Sequence, residues 1–179
     1  RPYQSAHVAA AIRDELARGG QVFYVHNRVR SLPETVRELR ELVPEARFTM
    51  AHGKLRAEKL EAVMWEFSRR KHDVLVASSI IESGLDIPSV NTLLIENAQD
   101  FGLSQLYQLR GRIGRERRRA FCYLYYPGEQ KAYGELGEEA RLRLEALRDF
   151  ADLGSGFRLA MRDLEIRGAG DLLGAKQHG

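Results

Sequence analysis

The chain has 179 residues, 44% of them hydrophobic and 30% charged, a balance that supports a buried core and excludes disorder by composition. One cysteine, Cys122, excludes a disulfide framework and a multi-thiolate metal site, and no 18-residue apolar run is present to span a membrane. The net charge of +3 hides a lopsided make-up: five of the 28 basic residues are lysines, at 54, 59, 71, 131 and 176, and the remaining 23 are arginines. A guanidinium presents a planar fork that suits phosphate, although a coding bias toward arginine explains the same count.

The five histidines, at 7, 26, 52, 72 and 178, show no helical metal-binding pair, so no metal site of the chain's own is expected. The opening Arg1-Pro2-Tyr3 has neither an initiator Met nor a signal-peptide pattern. It reads as the edge of a larger protein.

In chain order, Ser5 is expected to cap a helix running to about Arg18, which Gly19-Gly20 would stop. Gln21–Val25 (QVFYV) is β-branched and aromatic, a strand. Pro33 opens a second helix that Pro44 closes, and Arg47–Met50 is a short strand. A third helix spans Arg56 to about Arg69, with Leu60, Val63, Met64 and Phe67 on one face.

Asp73–Ala77 (DVLVA) and Asn91–Glu96 (NTLLIE) are continuous apolar strands of the kind buried on both faces. Leu103–Leu109 is a short helix and Ala120–Tyr125 a fifth strand. The alternation predicts an α/β fold, a parallel sheet flanked by helices with right-handed crossovers. After Pro127-Gly128 the pattern becomes helical. Glu138–Leu153 and Phe157–Ile166 are expected as a C-terminal helical hairpin around Gly154-Ser155-Gly156, followed by a Gly-rich tail. The expected division is 1–130 for the sheet domain and 131–179 for hairpin and tail.

In such a sheet, ligands gather beyond the carboxyl ends of the strands. Ser78-Ser79-Ile80-Ile81-Glu82-Ser83-Gly84-Leu85-Asp86-Ile87-Pro88 follows a buried strand with hydroxyls, a turn glycine and a carboxylate. Hydroxyls and backbone N–H groups there suit a phosphate, and Asp86 suits a ribose hydroxyl. The same spacing fits a plain loop with an Asx turn at Asp86. Gln108-Leu109-Arg110-Gly111-Arg112-Ile113-Gly114-Arg115 is denser, with three arginines and two glycines in eight residues. Guanidiniums at that spacing can meet a polyphosphate, or lie solvated in a basic loop.

These two stretches, in this order and with a strand between them, resemble motifs V and VI of superfamily 2 helicases. Tyr24-Val25-His26-Asn27-Arg28 resembles motif IV, and Ala51-His52-Gly53-Lys54-Leu55 the short motif after it. The resemblance covers nearly the whole chain and implies a RecA-like domain, the second of two. Met161–Gly174 (MRDLEIRGAGDLLG), with Gln177 and Gly179, resembles the translocation motif shared by two families of bacterial DNA motors, the RecG-type fork-remodelling helicases and the transcription-repair coupling factors. The wording DLEIRGAGDLLG is closer to the second family. The G-x-G-x-x-x-G inside that tail is not a dinucleotide loop, because a helix and not a strand precedes it.

The resemblance implies an ATP-dependent double-stranded DNA translocase in the intact protein. ATP and Mg²⁺ would be held mainly by the first RecA-like domain, since no Walker A loop occurs in this chain, and the chain alone would be inactive. Gln108, Arg112 and Arg115 would reach the ATP phosphates from this side. Gly84 and Asp86 would line the ribose and γ-phosphate side, and Arg110 would serve an ion pair. Asn27, Arg28, His52, Gly53 and Ser78 fall in motifs that touch the phosphates of one DNA strand, with a capped turn the alternative for His52. Arg143, Arg167 and Gln177 would couple ATP state to movement, although Arg167 also fits a helix cap. RNA polymerase and excision-repair proteins would bind parts outside this chain, in a bacterial cytoplasm at the nucleoid, with no membrane contact. The alternatives are a RecG-type motor and a non-catalytic nucleic-acid-binding module.

Overall fold

The computed structural model describes residues 1–78, 90–111, 113, 119–127, 136–149 and 166. Among them the order is α1 (Ser5–Ala17), β1 (Gln21–Val25), a 3-10 turn (Val29–Ser31), α2 (Leu32–Leu42), β2 (Phe48–Ala51), α3 (Ala57–Ser68) and β3 (Val74–Ala77). Then come β4 (Val90–Ile95), a second 3-10 turn (Ala98–Asp100), α4 (Leu103–Arg110), β5 (Phe121–Leu124) and α5 (Glu138–Asp149). The five strands form one sheet in the order β2-β3-β1-β4-β5, and every pairing is parallel.

Strand periodicity splits the core in two. Val22, Tyr24, Val74, Val76 and Leu94 point to one face, where α1 and α2 cover them with Val8, Ile12, Val36 and Leu39. Val25, Leu75, Ala77, Leu93 and Ile95 point to the other, against Met64 and Phe67 of α3, Leu103 and Leu106 of α4, and Leu144 and Leu147 of α5. A central strand buried on both faces must be apolar throughout, which is why VLVA of β3 is buried at all four positions. Leu60 and Val63 complete the expected face of α3, half-buried beside Met64 and Phe67.

Helix starts differ slightly from expectation. Gln4 occupies the N-cap of α1 without a side-chain hydrogen bond, and Ser5 is the first helical residue. The extended backbone of Gln4 sets the cap, so the hydroxyl of Ser5 lies one position too late for that role. The far end follows the glycine rule, with Gly19 at φ 71° directly after the last turn. Residues 150–165 and 167–179, the expected second arm of the hairpin and the tail, lie outside the described residues apart from Ile166, which is helical and 3% exposed. That side chain belongs to the same hydrophobic cluster as α4 and α5.

Candidate nucleic-acid interface

Parallel pairing sends all five strand ends the same way. Val25 is level with Ala77, Ala77 with Ala51, and Val25 with Ile95. The next residues, His26, Ser78, His52 and Glu96, therefore leave the sheet side by side along its carboxyl edge. Backbone bonds hold them there: His26 N–H donates to the Ala77 carbonyl at 2.9 Å, Ser78 N–H to Ala51 at 3.2 Å, and Glu96 N–H to Val25 at 3.0 Å. Stretches far apart in sequence thus meet on one edge.

Asn27 and Arg28 are exposed just beyond β1, and Gly53 is exposed beyond β2. Ser78 is buried at the end of β3. His52 is half-buried in a turn whose carbonyl accepts from Leu55 N–H at 3.0 Å, and its Nδ1 is buried with no hydrogen-bond partner.

Sequence patterns passed over two residues that the structure brings together here. His26 Nδ1 lies 2.7 Å from Glu96 Oε2, and its Nε2 lies 2.7 Å from Ser31 Oγ. Tyr24 donates its phenol to the same Glu96 oxygen at 2.9 Å. Burial first, then the Glu96 charge, hold the Tyr24 phenol well above its ordinary value, so it stays a donor. The signal in the sequence was a polar residue one step past each of two apolar strands, His26 after QVFYV and Glu96 after NTLLI.

Of the residues expected at ATP, only Gln108 is described, and α4 carries it. A parallel β4–β5 pair requires the chain to return from the carboxyl edge to the amino edge, and α4 makes that return. Gln108 is exposed on its last turn. Arg119, just before β5, gives its carbonyl to the Arg18 guanidinium at 3.1 Å, at the amino edge where α1 ends. Arg110 lays its guanidinium over the Tyr107 ring, 5.2 Å from the centroid. Gly84, Asp86, Arg112 and Arg115 lie outside the described residues, as do Arg167 and Gln177.

Arg143 is described on α5. It donates to Glu139 at 2.8 Å and reaches the Gln99 carbonyl at 3.4 Å, tying α5 to the turn after β4. No cluster of His, Cys, Asp or Glu among the described residues suits a metal ion, and no described helix is long and apolar enough to cross a membrane.

A parallel α/β sheet carrying phosphate-suited groups on one edge and a Gln/Arg segment at the far end of α4 is the layout of a helicase motor domain. Residues 6–117 match the helicase conserved C-terminal domain, and the chain belongs to that family, with a RecA-like fold of the superfamily 2 type. Within it, the chain is 51% identical over 177 residues to the transcription-repair-coupling factor of Myxococcus xanthus and 52% identical over 177 residues to that of Bacillus subtilis. Those matches take in 99% of this chain, which spans only 14% and 15% of the two relatives' lengths. The RecG structure solved on a three-way DNA junction superposes with a TM-score of 0.73 at 39% identity, over 93% of this chain and 21% of that one.

Proposed function

We propose that this chain is the second motor domain of an ATP-dependent double-stranded DNA translocase of the transcription-repair coupling type. The observation that carries the reading is the convergence of Asn27, Arg28, His52, Gly53 and Ser78 on one sheet edge. Hydroxyls, backbone N–H groups and guanidiniums bind phosphates without reading bases, so this edge tracks one strand of a duplex regardless of sequence. The identity to coupling factors, higher than that to RecG, favours them over fork-remodelling motors.

Gln108, Arg112 and Arg115 are assigned to the ATP phosphates, with Gly84 and Asp86 toward the ribose. An amide and two guanidiniums are donors only toward phosphate oxygens, and preplaced cations stabilise the charge that spreads over a transferring phosphoryl group. Bound ATP supplies the phosphoryl group passed to water. Mg²⁺ is assigned to the first motor domain, as are the Walker groups this chain lacks. In the intact parent, contacts to RNA polymerase and to excision-repair proteins belong to other domains.

Arg143, Arg167 and Gln177 are assigned to coupling. Arg143 already bridges α5 and the turn after β4, so a change at the cleft has a rigid route into the C-terminal segment. The test is Arg167→Ala in the full-length parent, with ATPase rate and triplex displacement on duplex DNA measured together. ATPase retained with displacement lost supports coupling. Both retained would remove the tail from the mechanism.

A further inference from the structure

Asn27, Arg28 and Arg30 are exposed on the short loop 27–30, between the end of β1 and the start of α2. His26 and Ser31 bracket this loop, and their side chains close it through the 2.7 Å contact of Nε2 with Oγ. The same imidazole reaches Glu96, the first residue after β4, through Nδ1. A carboxylate only accepts, so Nδ1 carries the proton that faces Glu96, and this fixes which way the ring is turned. Ser31 Oγ also lies 3.4 Å from the Arg28 carbonyl. The ring therefore acts on the loop from two sides, through its neighbour Asn27 and through Ser31.

The position of this ring in the topology matters. The connections from β1 and β4, neighbours in the sheet, leave toward opposite faces, α2 on one and α4 on the other. Ligands of open parallel sheets sit in the crevice at such a switch point. His26 to Glu96 spans it. Glu96 by itself would repel a phosphate chain passing the edge, but Tyr24 and His26 hold its Oε2 inward and leave the side chain 22% exposed. Buried polar groups with every partner in place make a rigid unit, and His26 is only 5% exposed.

We propose that His26 is the positioning residue for the DNA-phosphate contact: clamped between Glu96 and Ser31, it holds Asn27 and Arg28 in one register at the carboxyl edge. This deepens the reading of Asn27 and Arg28 as phosphate contacts and rests on it.

The test uses the full-length parent, with a blunt duplex as probe and DNA-stimulated ATPase as readout. His26→Ala is expected to raise the half-saturating duplex concentration about tenfold, the loss of one good charged hydrogen bond. Arg28→Ala is expected to do the same, and the double variant little more than either, because both remove one contact. The ATP KM is expected to move less than about twofold, since the change lies in DNA binding, and the salt slope of duplex binding should fall by about 1. His26→Gln, whose amide both donates and accepts, should recover much of the loss.

Full additivity of His26→Ala and Arg28→Ala would overturn the proposal, because His26 would then act by another route. Arg28→Ala effective with His26→Ala silent would overturn the positioning role alone. Arg28→Ala silent would overturn the phosphate reading and the proposal with it. Should His26→Ala fail to fold, Ser31→Ala decides: it breaks only the loop closure, and about a threefold rise is expected for one neutral hydrogen bond, whereas no rise overturns the proposal.

Discussion

Gly20 stands where α1 hands over to β1, and its lack of a side chain is a packing requirement. A Cβ there would collide with the Glu15 carboxylate. Glu15 is itself 1% exposed, accepting from Thr92 and paired with Arg18, so it has nowhere to swing. Gly20→Ala is therefore expected to destabilise the domain by roughly 1–3 kcal/mol, the usual cost of an overpacked core. A urea melt of the parent domain checks this; an unchanged midpoint would mean that Glu15 has room to move. The neighbouring Gly19 is needed for a different reason, its left-handed backbone, so the pair is not redundant.

At the scale of elements, the joint between β2 and β3 rests on an ion pair at their amino ends. Arg47 donates to Asp73 through Nε at 2.9 Å and Nη2 at 2.7 Å, and its backbone N–H adds a third bond at 2.8 Å. Burial pushes the Asp73 carboxyl up, but the bonds from Arg47 outweigh it, and the net shift is downward from 3.8. A carboxyl whose value is lowered on folding stabilises the fold fully above its unfolded value and loses that contribution as pH falls through the folded value. Asp73→Asn is expected to cost about 1 kcal/mol at pH 7, since the pair is partly exposed and screened. The gap between variant and wild type should close as pH is taken below 3.8. Chemical denaturation at pH 7 and pH 3 reads both numbers, and a gap that does not depend on pH would assign the loss to packing. The same edge strand, β2, has one of its carbonyls covered by Arg40, which reaches Phe48 O at 3.3 Å.

For the whole molecule, the proposed function makes this chain one of two motor domains. On that reading Gln108, Arg112 and Arg115 would act on a nucleotide held by the other domain. The isolated chain is accordingly expected to show no DNA-stimulated ATP hydrolysis above blank, measured by phosphate release with and without duplex. Measurable turnover would refute the division of labour. α5 shares its apolar cluster with α4 and the sheet, through Leu144, Ala146 and Leu147. Close packing of this kind joins α5 firmly to the sheet, which suits the coupling role proposed for the C-terminal segment.

The order of strands and helices was legible from the sequence alone, because apolar runs of four to six residues and helical periodicity are local properties of the chain. The Q-x-x-G-R-x-G-R spacing allowed a polyphosphate partner or a solvated basic loop, and the phosphate role expected of YVHNR came from its resemblance to a helicase motif. Sequence could not tell which stretches share an edge. That depends on parallel register, with Val25, Ala51 and Ala77 level across three strands distant in sequence. Nor could it reveal that His26 answers to Glu96, 70 residues away. Hydrogen bonds of that length in sequence exist only once the sheet has closed, so the residue types on this edge are local to the chain while their placement beside one another was decided by the tertiary structure.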